Sequence, residues 1–193
     1  MRKEIYLILF VAFFSCQPKE KSELVADDKI YSLINFVAET ELESSQNGHA
    51  GYLTEGFSIL LNPGQDEYFR MNELDSIFKK EDIVFIHKQI DKRMNFRLKS
   101  DLLNTQKIIP IDSIQHLKQK GDSNDKFWER FEKKYKTHGF SSIDMPLFCV
   151  DGKTAVVTYG FHCGSLCGGG ETAIFQLLNG KWKKIMTLSS WVS

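Results

Sequence analysis

Residues 147–188 read LFCVDGKTAVVTYGFHCGSLCGGGETAIFQLLNGKWKKIMTL. Four β-rich runs lie in this stretch: Leu147–Val150, Ala155–Phe161, Thr172–Leu178 and Trp182–Leu188. Asp151-Gly152 separates the first two and Asn179-Gly180 the last two. Both dipeptides tolerate the positive backbone angles that tight hairpin turns demand. The stretch predicts a four-stranded antiparallel β-meander. With a helical N-terminal half packed on one face of that sheet, the chain reads as a single α+β domain over residues 27–193.

Upstream, the pattern is helical. Asp27 and Asp28 precede Ile30, Leu33, Ile34, Val37 and Ala38, whose spacing predicts a helix over 28–44 with its acidic pair at the favourable end. Ser44-Ser45-Gln46-Asn47-Gly48 reads as the turn that ends it. Residues 52–61 are apolar and fit strand or helix, closed by Asn62-Pro63-Gly64. A second helical region spans 72–91, as two short helices joined near Lys80: Leu74, Ile77 and Phe78 make one stripe, and Ile83, Ile86 and Ile90 another. In 95–121, Phe96 and Leu98 flank Arg97 in alternation. Ile108-Ile109-Pro110-Ile111 admits only an edge strand or an extended link, because proline cannot donate to a ladder. Asp122-Ser123-Asn124-Asp125 then opens a third helix with capping residue types, and Gly139 closes it. Its stripe of Phe127, Trp128, Phe131 and Tyr135 reads as core rather than ligand pocket.

The first fifteen residues read as a removable signal. Arg2 and Lys3 form a positive start, Ile5 to Phe14 carry no charge, and Ser15 is small. Such a run is too short to span a bilayer as a helix. Phe13-Phe14-Ser15-Cys16 resembles the lipobox of bacterial lipoproteins. The resemblance implies a lipidated Cys16 as the first mature residue, a tether over 16–26, and anchorage of the protein to the membrane through acyl chains alone. Gln17 is not an aspartate, which by the sorting rule of such lipoproteins implies the outer membrane of the cell envelope. Removing residues 1–15 takes Arg2, Lys3 and Glu4 from 25 basic and 25 acidic residues, leaving a formal charge of −1. A near-neutral chain with interspersed signs lacks the footprint of a nucleic-acid binder. About 178 residues, 42% of the full sequence being hydrophobic, suffice for one domain with a real core.

Between the middle two strands runs His162-Cys163-Gly164-Ser165-Leu166-Cys167-Gly168-Gly169-Gly170-Glu171. Pro146, Asp151-Gly152-Lys153, Cys163-Gly164, Leu166-Cys167-Gly168, Gly170 and Asn179-Gly180-Lys181-Trp182 together resemble the C-terminal pattern of a group of uncharacterised Bacteroidota secreted proteins and lipoproteins. The resemblance covers residues 146–193 and implies no activity. In an exported, oxidising compartment thiols tend to pair. If Asp151-Gly152 turns the hairpin, Cys149 lies opposite Thr154. That is nine strand residues from Cys163, or roughly 30 Å at about 3.3 Å each, against a bridging limit of about 7 Å. Cys163 and Cys167 are therefore expected to form the disulfide, with Cys149 a buried thiol.

No catalytic constellation emerges. His162, Cys163 and Cys167 lack the usual zinc spacing and a fourth ligand, Cys-x3-Cys in a β loop suits redox catalysis poorly, and no Gly-Lys-Ser/Thr follows the glycines. The histidines at 49, 87, 116, 138 and 162 are scattered. Glu81 and Asp82 read as helix-start charges, Asp144 and Asp151 as turn residues, and neither Ser141-Ser142 nor Ser165 has an adjacent base. No metal or cofactor is expected. The expectation is a lipid-anchored, non-enzymatic module binding an envelope protein, a glycan or a small ligand. Its binding loop would comprise His162, Gly164, Ser165, Gly168, Gly169, Gly170 and Glu171. An immunity-type or scaffold lipoprotein is the alternative, and an envelope hydrolase or thiol-dependent enzyme a more distant one.

Overall fold

Asn179 and Gly180 sit at φ 51° and 78°, the two consecutive positive angles of a tight hairpin turn. They join β6 (Cys167–Leu178) to β7 (Lys181–Val192), and β5 (Thr154–Gly164) pairs antiparallel on the other side of β6. The computed structural model describes residues 25–42, 51–56, 71, 73–93, 95–119, 121 and 123–193. The signal segment, Cys16, most of the tether, and the turns at 44–48 and 62–64 lie outside the described residues. β4 (Leu147–Phe148) pairs antiparallel with β5. At their turn Gly152 has φ 61°, and Asp151 Oδ1 accepts hydrogen bonds from the amides of Lys153 (2.7 Å) and Thr154 (3.0 Å). The Cys149 amide donates to the Thr154 carbonyl at 2.8 Å, so these two residues are opposite each other as the sequence implies.

The sheet is larger than a four-stranded meander and is mixed. Beyond β5 come β3 (Phe140–Ile143), β1 (Tyr52–Thr54) and β2 (Lys107–Ile109), in the order β2-β1-β3-β5-β6-β7. β3 is antiparallel to β5, whereas β1 runs parallel to both β3 and β2. Together with β4 this makes, among the described residues, a seven-stranded mixed sheet, which overturns the expected four-stranded antiparallel meander. The extra strands were hard to read for physical reasons. β1 and β2 are three residues each, too short to show a period, and β3 is Phe-Ser-Ser-Ile with all four residues buried, so it has no apolar–polar alternation. Ile108-Ile109 is indeed an edge strand.

Helices pack on both faces, not one. α1 (Asp27–Val37), extended by a π-helical turn at Ala38–Leu42, buries Ile30, Leu33, Ile34 and Val37 against Ala155, Val157, Tyr159, Ala173, Phe175 and Trp182. The opposite face presents Val156 and Ile174, with Leu147, Cys149 and Leu188, to α2 (Lys80–Arg93), which contributes Ile86. The segment before α2 carries turns and buries Phe78 in the same cluster. Strand β5 carries the explanation in its sequence: Ala-Val-Val-Thr-Tyr is continuously apolar or small, the pattern of a strand covered on both sides.

α3 (Ile111–Leu117) and α4 (Asn124–Tyr135) cover the β3 end of the α2 face. Phe131 is fully buried against Phe140 and Ile109, with Phe127, Trp128 and Tyr135 packed around it, so the aromatic stripe is core. Arg130 Nε and Nη2 donate to the Leu117 carbonyl at 2.9 and 2.7 Å, tying α4 to the end of α3. Ser123 precedes α4 without a side-chain cap, and Lys136, not Gly139, takes the left-handed turn that ends it. Gly139 is required for another reason: a Cβ there would overlap the His162 carbonyl.

β4 has an unusual outer edge. Neighbouring residues of a strand direct their backbone groups to alternate sides, so with Cys149 bonded to β5 the Phe148 amide and carbonyl point away from it. Gln89 of α2 takes both: its Nε2 donates to the Phe148 carbonyl (2.7 Å) and its Oε1 accepts from the Phe148 amide (3.0 Å). Asp82 continues the seal, accepting from Val150 N (2.9 Å) while capping its own helix through Lys79 N (3.0 Å). One helix thus substitutes two side chains for a missing strand.

Candidate functional site

The residues expected to form one loop are mostly strand. Cys163 and Cys167 are disulfide-bonded with Cα atoms 5.0 Å apart, and they clamp the tip of the β5–β6 hairpin. Cys149 is free and buried, and burial, then the Asp82 and Asp151 charges, push its thiol up to about 12. Only Gly164 has a positive φ, 145°. Ser165, at the tip, donates to Asp125 Oδ1 of α4 at 2.5 Å. From Cys167 onward β6 is extended, so successive side chains alternate between faces. Gly168 and Gly170 face one way and Gly169 and Glu171 the other.

On the α4 side, Gly168 and Gly170 make room for an aromatic row. A Cβ on Gly170 would stand 2.5 Å from Trp191 Nε1 and 2.7 Å from the Tyr159 carbonyl. The Trp191 indole, seated over these glycines, stacks on His162 at 5.3 Å; His162 packs tilted against Phe140 at 5.4 Å, and Phe140 stacks on Trp128 at 5.8 Å. His162 Nε2 is buried and has no hydrogen-bond partner among the described residues. Burial lowers its pKa to about 4, so the ring is neutral at physiological pH and acts as a packing element.

The α1 side is polar and open. Glu171 lies directly opposite Tyr159 in the β5–β6 ladder. Tyr159 Oη lies 2.9 Å from Glu171 Oε2 and 3.1 Å from Glu41 Oε2, and its single hydrogen serves one carboxylate at a time. Glu41 is brought in by the π-helical turn after α1. From β7, Lys184 Nζ donates to Glu41 Oε2 (2.5 Å), Glu171 Oε2 (3.0 Å) and Tyr159 Oη (3.1 Å). Thr187 Oγ1 adds a bond to Glu171 Oε2 at 3.2 Å. Beside this cluster opens a cavity of about 370 Å3, bounded by Leu42, Phe161, Gly169, Glu171, Ser190 and Val192.

The protonation states are locked. Burial alone would raise the Glu171 carboxyl, but hydrogen bonds from Lys184, Tyr159 and Thr187 outweigh it and hold it below its ordinary value. Lys184, though disfavoured by burial, is held above its ordinary value by bonds to Glu41 and Glu171. Burial, then the charges of Glu41 and Glu171, drive the Tyr159 phenol far upward. None of these three groups is poised to exchange a proton near neutral pH, which general acid–base catalysis requires. Among the described residues no group of three or more His, Cys, Asp or Glu could hold a metal.

No family model, curated protein or solved structure matches this chain.

Of the expected binding residues, the structure brings Gly169, Gly170 and Glu171 to the cavity. His162 and Gly168 belong to the packed opposite face, where a Gly170 Cβ would also point, and Gly164 and Ser165 to the hairpin tip. Tyr159, Glu41, Lys184 and Ser190 were missed. Extending the period-two reading of β5 and β6 toward the disulfide would have placed Tyr159 and Glu171 on one face. Nothing in the local sequence of Glu41 or Lys184 announces that they converge there. Among the described residues, no helix is long and apolar enough to cross a membrane.

Proposed function

We propose that the chain is a lipid-anchored cell-envelope protein that binds a ligand without transforming it, in the groove beside Glu171. The sequence supports the anchor through the lipobox-like Phe13-Phe14-Ser15-Cys16. The structural observation that carries the binding reading is a cavity of about 370 Å3 walled by a charge-locked cluster. That size falls within the range of small-molecule sites, about 300–1,000 Å3. Fixed charges and a neutral phenol supply recognition: they present constant donors and acceptors and have no proton in play.

Two measurements test the two halves. Growth with an alkyne fatty acid followed by click detection should label the wild type and leave Cys16→Ser unlabelled; equal labelling of both refutes the anchor. For the groove, amide NMR spectra of the 15N-labelled Cys16→Ser chain lacking residues 1–15 are recorded with and without envelope extract. Shifts should cluster at Glu41, Tyr159, Gly169, Glu171 and Ser190. Shifts confined to other surfaces, or none, refute the groove as the binding site.

A further inference from the structure

The donor and acceptor inventory of the groove narrows the ligand class. All three hydrogen bonds that reach the Glu171 carboxylate, from Tyr159, Lys184 and Thr187, enter at Oε2. Oε1 takes none of the three, and Glu171 lines the cavity. Lys184 spends its three hydrogens on Glu41, Glu171 and Tyr159 and has none to offer a ligand. The amides and carbonyls of Gly169 and Gly170 lie in a strand flanked by β5 and β7 on both sides. The groove therefore asks its ligand for hydrogen-bond donors.

Charge excludes two of the three donor or anion classes. A phosphate or carboxylate would meet the ionised Glu171 with no spare cation among the described residues that line the groove. An ammonium on Oε1 would stand beside the Lys184 ammonium, which is already 3.0 Å from the same carboxylate, and like charges so close repel. A neutral hydroxyl donates to Oε1 without that penalty. The rest of the wall, Leu42, Phe161 and Val192 with the exposed Ser190 hydroxyl at the rim, suits a body with an apolar face and a polar edge. We infer that the groove takes a neutral sugar ring, its C–H face toward Phe161 and Val192 and its hydroxyls donating to Glu171 Oε1 and engaging Ser190.

This inference rests on the groove being the binding site, and the test separates the two. The same labelled protein is titrated with neutral trimers of glucose, galactose, mannose and N-acetylglucosamine, with putrescine and with inorganic phosphate as contrasting probes. At least one saccharide should shift Gly169, Glu171 and Ser190, while putrescine and phosphate leave them in place. Glu171→Gln, which keeps the shape and removes the charge, should weaken that saccharide about tenfold. Ser190→Trp, at an exposed rim position, should abolish binding, with an unchanged melting curve and an otherwise unchanged spectrum showing an intact fold. Envelope extract that shifts the groove when no saccharide does overturns the sugar assignment and leaves the binding site standing. Silence from extract and saccharides alike overturns both. Preference for putrescine or phosphate, or saccharide shifts that survive Ser190→Trp, also overturns it.

Discussion

Replacing Gln89 with leucine tests how the outer edge of β4 is held. Gln89 is fully buried, and its carboxamide serves both backbone groups of Phe148, at 2.7 and 3.0 Å. Leucine is of similar size and fills the site, so little cavity forms. What changes is that an amide and a carbonyl lose their partners in a place water does not reach. An orphaned buried polar group costs about 1–3 kcal/mol, so two give about 2–6 kcal/mol. The added apolar contact of leucine returns about 1 kcal/mol, for a net loss of about 1–5 kcal/mol. Urea unfolding followed by tryptophan fluorescence measures it: the midpoint should fall with the slope unchanged, since the same surface is exposed on unfolding. Gln89→Glu is the companion variant, because it keeps the acceptor for the Phe148 amide and loses the donor to the carbonyl. A loss below about 0.5 kcal/mol in Gln89→Leu, within the usual range for changes that touch no special feature, would refute the claim that α2 side chains replace a strand.

Intact-mass analysis after alkylation without reduction, on the chain lacking residues 1–16, should find no modification in native buffer and one in denaturant, at Cys149; three modifications would refute the Cys163–Cys167 bridge. Cys163→Ser/Cys167→Ser should fold with a loss of about 2 kcal/mol, as expected for so short a closed ring, measured by thermal melting. Gly170→Ala should destabilise by about 1–3 kcal/mol and alter Trp191 fluorescence, because the new methyl meets the indole and a backbone carbonyl that cannot move aside; a neutral result refutes the close approach. Two acid-limb effects should be separable by pH-dependent unfolding. Glu171 has a lowered folded pKa, so its stabilisation is present above the unfolded value near 4.5 and is lost as pH falls through the folded one; Glu171→Gln should flatten that part. His162 is lowered to about 4 from 6.5, so the unfolded state binds the extra proton between those values and stability falls as pH drops from 6.5 to 4; His162→Phe should flatten that window, and an unchanged slope refutes its burial as a neutral ring.

The legible parts of the sequence were those where one local signal decides one local structure. Asn179-Gly180 and Asp151-Gly152 made the two turns they imply, and the distance along β5 separated Cys149 from Cys163 and Cys167 correctly. The stripe of Ile30, Leu33, Ile34, Val37 and Ala38 packed as its spacing requires. Legibility ended where tertiary pairing overrides a short stretch. Three residues at Tyr52 and three at Lys107 pair in parallel only because the intervening chain returns them side by side, and no three-residue window records that. The double burial of β5 was visible in Ala155–Tyr159 as an unbroken apolar run, yet the meander reading treated one side as open. The site failed for a related cause. Gly168-Gly169-Gly170 looks like a loop by composition, whereas the room those glycines provide is claimed by Trp191, some twenty residues later in the chain. Glu41 and Lys184 reach one another across 143 residues of sequence, a separation that no spacing rule spans.

Strand β6 near the disulfide acts as a partition wall with unrelated tenants on its two sides. Along Gly168, Gly169, Gly170 and Glu171, each step of one residue turns the side-chain direction between the aromatic row and the open groove. Side chains added at Gly168 and Gly170 should therefore meet the Trp191 ring first, and changes at Gly169 and Glu171 should act first on the groove. Such a wall lets the groove be rebuilt for a different guest one residue at a time while the packing behind it stays fixed.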